Sequence, residues 1–204
     1  MGPPHVTAAA IEDGFEPVAK WNKSLFSVFI VPVNSPYKAI ASLKGARLGI
    51  ASRETVSGPL CINALNKAGL QADKDFGSVY EGKYQDVMAR QLAEGTLQAM
   101  CTGPGPWKET NEQYPGKFKI IGESVRVPGF AFSIDSELSE KDKKKLTDVL
   151  LGMGQNPEGL RALQAISGSA GGATDTLPTS TKEYFSANMM VEENKRRYHM
   201  QIPK

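Results

Sequence analysis

The sequence predicts an α/β fold with a mainly parallel sheet covered by helices. Three observations carry that prediction: strand-like and helix-like segments alternate through the middle of the chain, glycine turns separate them, and a run of helices follows the last strand signal. In order, "ARLGIA" (46–51) reads as a strand, a helix starts at Ser57, and "SVYEG" (78–82) is a second strand. Then come the helix "YQDVMARQLAEG", the strand "LQAMC", a helix near "WKETNEQY" and the strand "FKIIG". Turns at Gly69, Gly82, Gly95 and Gly116 punctuate this block. Ahead of it stand a short helix in "HVTAAAIEDG" and the apolar runs "EPVAKW" and "LFSVFIVPV"; behind it come the strand "GFAFSID" and the helical tail. Ser139 with Asp142 and Ser180 with Glu183 read as capping boxes, and Asn156–Pro157 as a helix start. "KDKKK" (141–145) is the solvated face of the first tail helix, and "GSAGGAT" (168–174) a flexible connection. The order places a central block, residues 45–128, inside a discontinuous domain of residues 1–44 and 129–204, with two crossings that act as a hinge.

Composition narrows the function. The 204 residues are 40% hydrophobic and 23% charged, which is ordinary for a globular chain. A net charge of +2 is too balanced for wholesale nucleic-acid binding. The longest apolar run is too short to span a bilayer, and the first residues lack the pattern of a secretory leader. Cys61 and Cys101 have no metal-type spacing and read either as small buried residues or as a disulfide. With only two histidines, His5 and His199, and no G-x-S-x-G or Walker-type loop, the sequence gives no support to an enzyme and none to a cofactor.

The stretch "SRETVSGPL" (52–60) joins the first strand of the block to its helix. As a helix cap it has a serine that can accept an early N–H at Ser57, a proline suited to the first turn at Pro59, and a closing glycine at Gly69. Ser52, Thr55 and Ser57 around Gly58 also suit an anion, because a helix N-terminus offers unpaired N–H groups and a positive dipole end. Arg53 is the one cation of the turn, open to an anion, to Glu54 or to solvent.

"SLKGARLGIASRETVSGPLCINALNKAGL", "YQDVMARQLAEGTLQAM", "VRVPGFAFSIDSELSEKDKKKLTDVLLGM" and "ATDTLPTSTKEYF" together resemble the phosphonate- and phosphite-binding periplasmic proteins of ABC transporters. The resemblance implies a two-lobed periplasmic-binding-protein fold of type II and a small phosphonate-, phosphite- or phosphate-like oxyanion bound between the lobes without catalysis. It implies delivery to a membrane permease, and a periplasmic location. "GPPHVTAAA" stands at the very start, whereas the family has a strand–helix–strand stretch before its GP loop, so the chain is expected to lack roughly the first third of such a protein and its first lobe to be incomplete. The exposed sheet edge this leaves is an invitation to pair with a second copy.

Carried over residue by residue, the resemblance makes an anion clamp of Thr55, Ser57 and the N–H of Gly58. Gln85 stands where the family has a histidine, next to Asp86, and is a neutral donor. Cys101 and Thr102 fall at a strand's carboxyl end facing the cleft, and "GPPH" with His5 would meet the ligand from the other lobe; His5 is equally readable as a surface residue. Tyr84 and Trp107 read as core or cleft-wall aromatics. An alternative keeps the fold and makes the chain a sensor of an oxyanion or an arsenite-like metalloid that signals to a receptor kinase, with a cysteine thiolate as the soft ligand. Related binding proteins for sulfonates or pyrimidine precursors share the architecture.

Overall fold

The computed structural model describes residues 1–168 and 172–184. The described chain divides into two compact units, Met1–Leu25 with the segment from Arg126 onward, and Phe26–Val125.

The first unit is built on an antiparallel sheet in the order β7-β1-β8 (β1, Phe15–Trp21; β7, Ala131–Asp135; β8, Thr176–Pro178). Pro17 lies in the middle strand, where a missing N–H would break a ladder bond, and the register slips there by a bulge between Pro17 and Ala19. Helices α1 (Pro4–Glu12), α5 (Glu140–Leu151) and α6 (Pro157–Ser167) complete the unit. Two of the three expected tail-helix starts form with side-chain caps: Ser139 Oγ accepts the Asp142 N–H, and the Asn156 side chain accepts those of Glu158 and Gly159. Residues 181–184 are helical behind Ser180. Buried Trp21 stacks on Phe130 at 4.4 Å and packs with Leu163 and Ala173. A side chain at Gly129 would meet the Trp21 carbonyl at 2.9 Å, so only glycine fits there. The "GSAGGAT" connection lies partly outside the described residues.

The second unit carries a five-stranded sheet in the order β4-β3-β5-β2-β6, from β2 (Val28–Pro32), β3 (Arg47–Ala51), β4 (Ser78–Gly82), β5 (Ala99–Thr102) and β6 (Phe118–Glu123). Helices α2 (Ser57–Lys67), α3 (Gln85–Ala93) and α4 (Pro104–Gln113) connect its strands. The core on one face joins Met88, Ala89 and Leu92 of α3 to Val28, Ile30, Met100 and Phe118, with Trp107 and Tyr114 of α4 packed against it. Successive side chains of a strand point to opposite faces, so Cys101, next to Met100, points to the other face. There it is bonded to Cys61 of α2.

Two expectations are corrected. The sheets are not mainly parallel: β3 runs parallel to β4 and β5, but β2 is antiparallel to both β5 and β6, and the first unit is wholly antiparallel. The first domain segment ends near residue 25 rather than 44, because β2 pairs inside the second unit's sheet. Among the described residues no helix is long and apolar enough to cross a membrane.

Candidate anion-binding site

The strand order creates the site. From β3 the chain runs through α2 to β4 on one side, and from β4 through α3 to β5 on the other side of β3. Right-handed crossovers in opposite directions put α2 and α3 on opposite faces. The exits of β3 and β5 therefore diverge at the sheet's carboxyl edge and leave a crevice between them, the place where open α/β sheets take ligands.

On the β3 side, the turn largely satisfies itself. Ser52 N–H donates to Gly82 O at 3.1 Å. Thr55 donates to Ser52 O through both its N–H, at 3.0 Å, and its hydroxyl, at 2.7 Å, and Thr55 Oγ1 receives the Gly58 N–H at 3.4 Å. Thr55 thus does the capping that the sequence assigns to Ser57, and the Gly58 N–H is engaged by it. Helix α2 begins at Ser57 itself, with no side-chain cap from Val56. The absent side chain of Gly58 makes room for the chain's own backbone: a Cβ there would collide with Ser52 O and stand 2.8 Å from Ala51 O. Arg53 pairs with Glu81 of β4, a partner outside the three readings open in the sequence.

What the turn leaves over is the Ser57 hydroxyl, which makes no hydrogen bond among the described residues and sits on a partly exposed residue. It faces the β5 exit, where a Cβ on Gly103 would lie 3.1 Å from Ser57 Oγ. Thr102, just before Gly103, is fully buried, and among the described residues its Oγ1 has no hydrogen-bond partner. Buried hydroxyls are normally paired, so an orphan at a sheet edge marks a place for a ligand or water. Beyond it, α4 opens Pro104-Gly105-Pro106, whose prolines carry no N–H and leave Gly105 as the one donor of those three. Neither α2 nor α4 has an acidic residue in its first turn, so no carboxylate of the helix itself offsets its positive dipole end.

Ser27, in the apolar sequence run just before β2, completes this edge. Its hydroxyl donates to Ser57 O at 3.3 Å, its N–H to Ser124 Oγ at 2.8 Å, and its carbonyl accepts the Ser124 N–H at 2.8 Å. The polar residue within that apolar run is the signal that could have singled it out.

The other expected residues lie apart. Gln85 opens α3 and lines a cavity of about 320 Å³ with Lys83, Tyr84, Asp86, Glu109 and Thr110, and among the described residues its buried Oε1 has no partner. Tyr84 is 68% exposed, whereas Trp107 packs on the core. His5 belongs to the first unit, and burial holds its imidazole below the usual pKa. Cys101 is corrected outright. It is fully buried and disulfide-bonded to Cys61, so neither sulfur offers a thiolate to a metalloid. Among the described residues no cluster of His, Cys, Asp or Glu could hold a metal ion.

Residues 1–177 match the family described as "ABC transporter, phosphonate, periplasmic substrate-binding protein". Among solved structures, the chain is similar to a Xanthomonas citri protein bound to ATP, with 16% identity and a TM-score of 0.77 over 97% of this chain and 78% of that one. PhnD1 from Prochlorococcus marinus, in complex with methylphosphonate, gives 18% identity and a TM-score of 0.69 over 90% and 72%. The periplasmic aliphatic sulphonate-binding protein from Escherichia coli gives 16% identity and a TM-score of 0.67 over 97% and 69%. At these identities the likeness is one of fold.

Proposed function

The chain belongs to the phosphonate family of periplasmic substrate-binding proteins of ABC transporters, a family of binding components with the type II fold and not of enzymes, and we propose that it binds a phosphonate or phosphite at the β3–β5 crevice. The observation that carries this reading is the pair of unengaged hydroxyls, Ser57 Oγ and Thr102 Oγ1, at the starts of two helices whose first turns hold no acidic side chain. A tetrahedral oxyanion presents acceptors in several directions and is met by hydroxyls and backbone N–H groups converging from separate elements. Ser57, Thr102 and the Gly105 N–H would take its oxygens, Thr55 and Gly58 would hold the turn in shape, and Gln85 would supply a neutral donor from the start of α3.

Recognition in this reading rests on neutral donors, since the turn's guanidinium is paired with Glu81. The ligand's own charge is balanced by dipole ends, and the bound oxyanion passes on to a membrane permease. Fixed neutral donors select for the shape and protonation of the anion as well as its charge.

A thermal-shift panel of phosphite, methylphosphonate, 2-aminoethylphosphonate, phosphate, sulfate and ethanesulfonate tests the reading. A ligand at a hundred times its dissociation constant adds about 2.7 kcal/mol of stability. The expected result is a clear rise with phosphite or a phosphonate and a smaller one with sulfate. A panel in which nothing shifts the transition, or in which only ethanesulfonate does, contradicts it.

A further inference from the structure

Helix α2 is tied by its connections to β3 and β4 alone, yet the crevice it borders has β5 as its other wall. The Cys61–Cys101 disulfide adds a covalent tie to the packing of α2 on β5, closing a sequence separation of 40 residues with both cysteines fully buried. Its position relative to the site is specific. Cys61 lies one helical turn after Ser57, so the two side chains share a face of α2. Cys101 immediately precedes Thr102, so the bond is anchored at the residue next to the orphan hydroxyl.

We infer that this disulfide is a positioning element of the oxyanion site, setting the separation between Ser57 and Thr102, a role that rests on the function proposed above. Donors that must meet one small anion from two elements have to be held to within about half an ångström. The Gly58 N–H to Thr55 Oγ1 bond, the Ser27 hydroxyl to Ser57 O bond and the backbone approach at Gly58 all join the start of α2 to elements other than β5. Without the covalent bond, the first turn of α2 can slide along the sheet while its apolar face stays buried. The fold then survives better than the site.

The test compares the parent with Cys61→Ala/Cys101→Ala, titrating each with methylphosphonate and with phosphite by calorimetry at a temperature well below both melting transitions. Circular dichroism confirms the fold. The expected result is a cooperative melt, an unchanged far-ultraviolet spectrum and a dissociation constant raised about tenfold. A lower melting temperature with an unchanged dissociation constant overturns the inference and leaves the disulfide a plain staple. If the alanine pair does not fold, Cys61→Ala/Cys101→Val, which refills the lost volume, is read by the same criteria. A parent that binds neither probe overturns the proposed function and the inference with it.

Discussion

The hydroxyl of Ser57 and the α-carbon of Gly103 face each other so closely that a methyl group on Gly103 would lie 3.1 Å from Ser57 Oγ. Gly103 has φ −72° and ψ 165°, a conformation open to alanine, so backbone strain plays no part in what a substitution there would do. The Gly103→Ala variant is expected to melt close to the parent while binding its oxyanion about tenfold more weakly, or about 1.4 kcal/mol, because the methyl pushes the hydroxyl off its line. Parallel melting and titration curves check this.

Gly58 predicts the opposite pattern. A side chain there would collide with the backbone of Ser52 and Ala51 rather than with a movable side chain. Gly58→Ala should therefore lower stability by about 1–3 kcal/mol, read as a shift of the urea midpoint at constant slope.

The alternation of strands and helices was legible in the sequence because each element of the second unit carries its own period and its own glycine stop, as at Gly69 and Gly95. The direction of β2 was not. A run such as "VFIV", buried all along, reads the same in a parallel as in an antiparallel strand, and nothing local says which sheet it joins. Ser57 was legible as a candidate site residue, but the cap role falls to Thr55, whose Oγ1 receives the Gly58 N–H. The roles of Ser27 and Gly103 depend on which strand exits become neighbours, which the strand order decides, and the same order settles the two readings open for Cys61 and Cys101 in favour of the disulfide.

The disulfide also bears on stability. In the chain-entropy account, closing a loop of 40 residues stabilises the fold by about 4 kcal/mol at 25 °C. Urea unfolding of the oxidised protein against the double alanine variant should show a loss of that order. A loss below about 1 kcal/mol would mean that the unfolded chain is already restrained there or that the native bond is strained.

His5 gives a pH dependence. Burial holds its folded-state pKa below 6.5, so below pH 6.5 the unfolded chain binds the proton more readily than the folded one. The stabilisation is present above pH 6.5 and is lost as the pH falls toward the depressed folded value. Melting temperatures should decline across that interval, and His5→Gln should flatten the decline. The Asp75 carboxylate, held below its usual pKa by the Gln71 N–H and by Lys44, acts in a separate window below pH 3.8.

The most direct test of the oxyanion site is a calorimetric titration of the parent, of Ser57→Ala and of Thr102→Val with methylphosphonate. The account predicts saturable one-to-one binding by the parent. It also predicts at least a tenfold loss in each variant, about 1.4 kcal/mol or more, with far-ultraviolet spectra unchanged. Equal affinity in all three proteins would contradict it, since the ligand would then be held somewhere other than between the exits of β3 and β5.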